Sequence, residues 1–256
     1  MTKAADTRAT GVVTGAERAG MFWRSLFLQA VWNPRGMQNV GFCFALMPLL
    51  KRQGDGRDAR RAFLKRHLAF FNTNPTLAPY AMGAAAEREA AGANEAEVAL
   101  AKKGLASLLG MYGDALMWWA LRPLAGVAAV LLALQGNLWA PVALVVLYAV
   151  PHLAMKGRGI VVGSSLGPSG AREALGPGFK TAVRAVRAAA AFGAGLVLAR
   201  AATTESGSLQ PWRLVAVLLF LALAYVAHRV RIPATIVALG GAAGGVVLLL
   251  AGLNGG

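Results

Sequence analysis

The residues in this chain best suited to ligand chemistry are side-chain amides in or beside apolar segments. An amide both donates and accepts hydrogen bonds, which is what recognition of a neutral, hydroxyl-rich ligand requires. Five of them stand in the first third of the sequence: Asn33, Gln38, Asn39, Asn72 and Asn74. We predict that these residues line a polar cavity and bind substrate. The alternatives are that Asn72 and Asn74 turn the chain before a proline, and that Gln38 and Asn39 bond a partner protein.

Asp114 is the acidic residue whose position demands an explanation. Ten of the eleven acidic residues fall in polar segments, whereas Asp114 stands at the edge of an apolar run. An ionisable group at membrane depth is costly unless it is paired or solvated, so it is a functional candidate. Arg122, eight residues later on roughly the same helical face, is the predicted partner. A structural ion pair, or a carboxylate that stabilises the start of a helix, is the alternative to a functional charge.

No other residues form a recognisable catalytic or metal-binding pattern. Cys43 is the only cysteine, and His67, His152 and His228 lack the mutual spacing of a metal site. We therefore predict no catalytic residue, no metal and no cofactor, and a structural or interfacial role for each histidine. The Gly-rich stretch 163–167 lacks the Lys-Ser/Thr ending of a phosphate-binding loop and is predicted to be an ordinary loop.

The composition places these residues in a membrane protein. Of the 256 residues 57% are hydrophobic and 14% are charged, against about 25% charged residues in soluble domains. The net charge of +15 comes from basic residues between and beside apolar segments, which is typical of cytoplasmic loops. Nucleic acid is therefore a poor second candidate as the partner of these basic residues.

The hydropathy pattern predicts an all-α integral membrane protein, in which N-terminal amphipathic or re-entrant helices precede about five transmembrane helices. Residues 1–20 are predicted to be a disordered tail, 21–104 the amphipathic and re-entrant region, and 105–256 the transmembrane region. The predicted spans are residues 116–134, 137–155, 188–204, 212–227 and 232–253.

Several local features are predicted within this plan. A break falls at Asn33-Pro34, an amphipathic helix covers residues 57–71, and an exposed cytoplasmic helix covers residues 87–103. The amphipathic helix has Arg60, Arg61, Lys65 and Arg66 on its wet side. A basic loop at 156–187 and a second at 228–231 should face the cytoplasm, which puts the N-terminus inside and the C-terminus outside.

Three ordered blocks of sequence resemble a known family. They are FLQAVWNPRGMQNVGF at residues 27–42, LKRHLAFFNTNP at residues 64–75 and GMYGDALMWWALRP at residues 110–123. Together they resemble the IID subunits of mannose-type sugar phosphotransferase permeases, and the likeness extends over nearly the whole chain from Met21 onward. The sequence departs from the family at two places. Asn74 stands where the family usually has His, and residues 105–109 stand where the family usually has a Gly-rich segment before the third block.

The resemblance implies a function and a set of partners. It implies a non-enzymatic membrane subunit that forms a hexose channel with a separate IIC subunit, in the inner membrane of a bacterium. Cytoplasmic IIA and IIB proteins would then carry the phosphoryl group to the incoming sugar. Because of the departures, a diverged regulatory or docking protein of an incomplete phosphotransferase system is the alternative.

Overall fold

The computed structural model describes residues 11–54 and 56–201, together with Val215, Leu218, Leu219 and Ala222. The chain divides into two compact units, Met1–Gly193 and Ala194–Gly256. Nearly all of the described residues belong to the first unit, and the contacts reported below lie within it.

The described part of the chain is helical and contains no β-strand. Its α-helices are α1 (Gly15–Ser25), α2 (Asn39–Leu46), α3 (Arg57–His67), α4 (Ala78–Ala90), α5 (Glu95–Leu116), α6 (Arg122–Ala133), α7 (Ala140–Glu173) and α8 (Pro177–Ala201). A 3₁₀ helix, Met47–Gln53, follows α2, and a π-helical segment, Met117–Leu121, joins α5 to α6. The predicted all-α membrane fold is therefore confirmed.

Capping boxes explain two helix starts that differ from the prediction. Thr14 and Glu17 exchange hydrogen bonds at the start of α1, so helix begins at Gly15 and the predicted disordered tail to residue 20 is wrong from there on. Asn94 and Glu97 form the same arrangement at the start of α5. The predicted single helix over 87–103 is therefore also wrong, because α4 ends at Ala90 and a turn precedes the cap.

The segment between α1 and α2 is broken as Asn33-Pro34 predicts. It contains two antiparallel backbone hydrogen bonds between Asn33 and Met37, of 2.8 and 3.2 Å. Met37 adopts a left-handed φ of 56°, a conformation uncommon outside glycine, and it is held there by these bonds.

The amphipathic helix predicted at 57–71 is present as the shorter α3. Arg60, Arg61 and Lys65 are exposed as predicted. Arg66 is the exception, because its guanidinium turns inward to the buried Glu89. His67, predicted on a surface helix, is completely buried.

The centre of the fold is α4, an Ala-rich helix packed closely against α7. Ten of its thirteen residues are buried. Gly83 on α4 faces Gly163 on α7 at backbone distance, Gly159 faces Tyr80, and a Cβ added to Gly163 would lie 2.4 Å from the Tyr80 carbonyl oxygen. Small residues on both helices make this approach possible, as they do in membrane helix pairs.

Three helical stretches in the described residues are long and apolar enough to cross a membrane. They are Glu95–Ala133, Ala140–Glu173 and Pro177–Arg200. They contain the first two predicted spans almost entirely and most of the third. The predicted spans at 212–227 and 232–253 lie outside the described residues, apart from four positions, so the total of about five stays a prediction.

The predicted basic loop at 156–187 is largely helical instead. The α7 helix continues to Glu173, with non-helical dihedral angles at Gly167, and α8 begins four residues later. Lys156 lies inside the helix, and its buried ammonium group donates a 2.9 Å hydrogen bond to the Ser25 carbonyl oxygen at the end of α1. The 163–167 stretch, also predicted as a loop, is helical up to Gly167, and Arg18 donates to Ser164 and Ser165 there.

Candidate functional site

The predicted substrate residues meet at one segment, residues 68–77, which we call the connector because it joins α3 to α4. Gln38, at the start of α2, holds it with both ends of its amide. Its Nε2 donates to the Thr73 carbonyl oxygen at 2.7 Å, and its Oε1 accepts from the Thr73 N–H at 3.1 Å. Gln38 is buried, so these two hydrogen bonds take the place of those that its amide and the Thr73 backbone would make to water. They fix the connector against α2.

Asn33 and Asn39 form the second attachment of the connector. Asn39 donates to the Leu68 carbonyl oxygen at 2.6 Å and accepts from the Asn33 amide at 3.1 Å. Asn33 in turn accepts from the Gly36 N–H at 2.7 Å. Both residues therefore have their main hydrogen-bonding groups engaged within the protein, at the break between α1 and α2.

Asn74 and Asp114 form the contact between the connector and α5. The Asn74 Nδ2 donates to the Asp114 Oδ1 at 2.8 Å, and the Asn74 Oδ1 accepts from the Thr76 N–H at 2.9 Å. Gly113 makes room for this pair, since a Cβ there would lie 2.3 Å from the Asn74 Cβ. Asn74 thus supplies Asp114 with an N–H donor.

Among the five predicted amides and Asp114, Asn72 and Asp114 are the two that retain open hydrogen-bonding capacity. Both are exposed. Within the described residues the Asn72 side chain makes no hydrogen bond, and Asp114 uses only Oδ1. The structure therefore separates residues whose polar groups are engaged in positioning the connector from two that remain accessible.

The predicted ion pair between Asp114 and Arg122 is absent from the described part of the chain. The Arg122 guanidinium instead lies 4.9 Å from the ring centre of Trp118, four residues before it. The reason is distance along the helix: Asp114 is eight residues away, about 12 Å of helix axis, whereas Trp118 is one turn away.

Thr76 and His152 continue the polar contacts from the connector to α7, and the sequence prediction missed them as site residues. The Thr76 Oγ1 lies 2.7 Å from the His152 Nδ1. The Tyr148 ring is parallel to the His152 ring, with 6.3 Å between ring centres. A histidine inside an apolar span was the available signal, but its partner is 76 residues away in sequence.

A second polar cluster, centred on Glu89, is buried beneath α3. The Glu89 carboxylate accepts two hydrogen bonds from Arg66, of 2.5 and 2.7 Å, and one from the His67 Nε2 at 2.9 Å. Burial raises the pKa of Glu89, but the bonds from Arg66 and His67 outweigh it and lower that pKa to about 2. Burial also lowers the pKa of His67, against the opposing effect of Glu89. This cluster is closed to ligands and stabilises the fold.

A cleft of about 560 Å³ lies between the π-helical segment, α7 and the start of α8. Leu116, Pro151, Met155 and Val183 are among its mainly apolar lining residues, and Arg158 and Glu173 are charged. Its surface offers few of the hydrogen-bonding groups that a sugar requires. No group of three or more metal-ligating side chains occurs among the described residues.

Comparison with known proteins identifies related sequences. Residues 12–206 match the family model described as the IID component of the mannose/fructose/sorbose family of the phosphotransferase system. The chain is 32% identical over 188 residues to a mannose-specific EIID component of Escherichia coli O6:H1 strain CFT073. That alignment covers 70% of this chain and 65% of the relative, so the match spans about two thirds of each protein.

Two solved structures share the fold. One, described as a membrane protein, has a TM-score of 0.75, 24% identity and coverage of 93% of this chain and 97% of its own. The other is the mannose transporter ManYZ in complex with microcin E492, with a TM-score of 0.57, 24% identity and coverage of 94% and 97%.

Proposed function

Because the chain belongs to the mannose/fructose/sorbose family of phosphotransferase-system IID components, we propose that it pairs with a IIC subunit to form a channel that imports a hexose. The family match over residues 12–206 carries this proposal. Import is coupled to phosphorylation of the sugar by IIA and IIB proteins, so the chain itself is a non-catalytic subunit. Its place is the bacterial inner membrane, with the N-terminus in the cytoplasm and the C-terminus outside.

The connector and Asp114 form the part of this chain that meets the sugar. Asp114 and Asn72 are exposed and have free hydrogen-bonding groups, so they contact sugar hydroxyls directly. Gln38, Asn33, Asn39 and Asn74 complete the predicted set. The hydrogen bonds described above support a positioning role for these four, which hold the connector so that the two accessible groups keep a fixed geometry.

The departure from the family at Asn74 is compatible with transport. In the structure Asn74 donates an N–H to Asp114, and an imidazole in its place could supply the same kind of donor. The alternative of a regulatory docking protein rests on this departure and on the one at residues 105–109, and the uptake experiment below decides between the two functions.

The test is hexose uptake by cells that express the chain with the IIC, IIA and IIB proteins of its own genome. Asp114→Asn keeps an oxygen for Asn74 but removes the charge, so we expect its KM for uptake to rise about tenfold or more. Glu173→Gln, which removes an exposed carboxylate elsewhere on α7, is the matched control and should leave KM unchanged.

Assembly must be measured in the same cells, by co-purification of the chain with IIC. A normal complex with normal KM in Asp114→Asn would exclude this carboxylate from the sugar path. A normal native complex that imports none of mannose, fructose and sorbose would instead favour the regulatory function.

A further inference from the structure

We propose that His152 is a further sugar-recognising residue of this site, using the ring nitrogen that Thr76 leaves free. This inference rests on the proposed transport function and adds a residue of α7 to a site otherwise built from the connector and α5. The starting observation is a continuous series of polar contacts that connects three elements of the fold.

The series runs from Asp114 to His152. The Asp114 Oδ1 accepts from Asn74 at 2.8 Å, the other end of the Asn74 amide accepts from the Thr76 N–H at 2.9 Å, and the Thr76 hydroxyl is 2.7 Å from the His152 Nδ1. Asn74 and Thr76 are buried. They therefore act as a fixed support, with one ionisable side chain at each end.

Both ends of the series have an unused polar atom. The His152 Nε2 and the Asp114 Oδ2 make no hydrogen bond within the described part of the chain, and neither residue is buried. Both stand in helices apolar enough to span a membrane. A polar atom left unpaired in that environment costs several kcal/mol, so each atom requires a polar partner in the working complex.

A hydroxyl group fits the His152 Nε2 in either protonation state of the neutral ring. If the Thr76 hydroxyl donates to Nδ1, the ring hydrogen is on Nε2, which then donates. If Nδ1 carries the hydrogen and donates to Thr76, Nε2 accepts. A sugar hydroxyl accepts in the first case and donates in the second. The parallel ring of Tyr148, one turn earlier on α7, packs beside the imidazole and restricts its orientation.

Two variants separate recognition by Nε2 from a purely structural role of the ring. His152→Asn keeps a polar atom near the position of Nδ1 that can still bond the Thr76 hydroxyl, but it has no atom at the position of Nε2. His152→Gln reaches the position of Nε2 but gives up the contact with Thr76. Tyr148→Phe, which keeps the parallel ring and removes the hydroxyl, is the matched control.

The experiment measures the KM and maximal rate of mannose, fructose and sorbose uptake in cells with the complete permease, and co-purification with IIC. We expect His152→Asn to raise KM about five- to tenfold with normal assembly, which corresponds to the loss of one neutral hydrogen bond. We expect His152→Gln and Tyr148→Phe to stay within about twofold of the native KM.

A native KM in an assembled His152→Asn permease would overturn the inference and leave the proposed function intact. If His152→Asn fails to assemble, His152→Gln decides alone. A near-native KM in His152→Gln supports sugar recognition by an atom at the position of Nε2, and a tenfold rise in KM overturns the inference. Absence of uptake by the native permease is a different result, because it removes the proposed transport function together with this inference.

Discussion

At the scale of single residues, two polar groupings in the described part of the chain differ in how their hydrogen-bonding atoms are used. The contacts of Asp114, Asn74, Thr76 and His152 end in atoms that remain accessible. The Glu89 cluster, by contrast, is closed on all sides by Arg66, His67 and Gln53. Accessible atoms without a partner suit ligand binding, whereas the buried and multiply bonded Glu89 carboxylate suits stability, although the buried His67 Nδ1 lacks a hydrogen-bond partner.

The Glu89 cluster predicts acid sensitivity of the folded protein. In the unfolded chain His67 binds a proton near pH 6.5 and Glu89 near pH 4.5, whereas in the folded chain both pKa values are lower. The unfolded state therefore binds more protons as the pH falls, and stability decreases. We expect the Tm of the solubilised complex to fall as the pH drops below 6.5, and to fall further from 4.5 toward 2.

A variant divides this pH dependence between the two groups. His67→Gln cannot titrate but can still donate an N–H to Glu89. Its Tm should depend less on pH than the native Tm between about 7 and 5, while the Glu89 effect remains at lower pH. A native Tm that is constant or rises on acidification would contradict this assignment of the buried groups.

At the scale of elements, the close packing of α4 against α7 determines where the residues of the candidate site lie. The connector ends where α4 begins, and His152 lies on α7, so the distance between these helices sets the contact between Thr76 and His152. Gly163 is the position where this distance is most tightly constrained, because its neighbours across the interface are the backbone atoms of Tyr80 and Ala84.

Gly163→Ala is expected to push α4 away from α7. The added Cβ would meet the Tyr80 carbonyl oxygen at 2.4 Å and the Ala84 nitrogen at 2.8 Å, and backbone atoms cannot move aside as a side chain can. We expect a loss of about 1–3 kcal/mol, measured as a lower Tm of the complex. Gly157→Ala, on the same helix, meets only Phe22 at 3.8 Å and should be neutral or slightly stabilising. Equal Tm values for the two variants would exclude tight packing at Gly163.

The sequence predicts the apolar helices better than their ends. Periodicity and hydropathy identified the first two spans, and Asn33-Pro34 identified the break before α2. The pattern Thr14-x-x-Glu17, which begins α1, was also available but was overlooked. The burial of Lys156 inside α7 was not predictable from local sequence, because its ammonium group is bonded to the distant Ser25 carbonyl oxygen.

The sequence pointed to the amides around the connector and to Asp114, but not to Thr76 and His152, and it did not predict which of these residues contact one another. The three blocks of family-like sequence contain all five amides and Asp114. Their division into accessible and positioning groups depends on contacts such as Gln38 with Thr73, which are 35 residues apart. The predicted partner of Arg122 was wrong because the Trp118 ring, one turn away, is within reach of its guanidinium, whereas Asp114 is two turns away.

At the scale of the whole molecule, the first unit exposes large apolar side chains outside its membrane helices as well. Trp23, Phe27, Trp32 and Phe70 are all more than half exposed, although they belong to the packed N-terminal region. Patches of this kind are typical of surfaces that meet another protein or lipid. We therefore expect the chain to need IIC for stability.

Partner dependence is tested by purification in detergent with and without the IIC subunit. With IIC, the chain should elute as a single complex with a cooperative thermal transition. Without it, aggregation and a lower Tm are expected, because the apolar surface is left exposed. A monodisperse and equally stable preparation of the chain alone would contradict this expectation.

The most direct test of the central claim is hexose uptake in four strains that differ only in the proteins supplied. One has this chain with IIC, IIA and IIB, and the others lack this chain, IIC, or both IIA and IIB. The account predicts accumulation of phosphorylated hexose in the complete strain alone. Equal accumulation in the strain without this chain would show that the chain is not a subunit of the transport path.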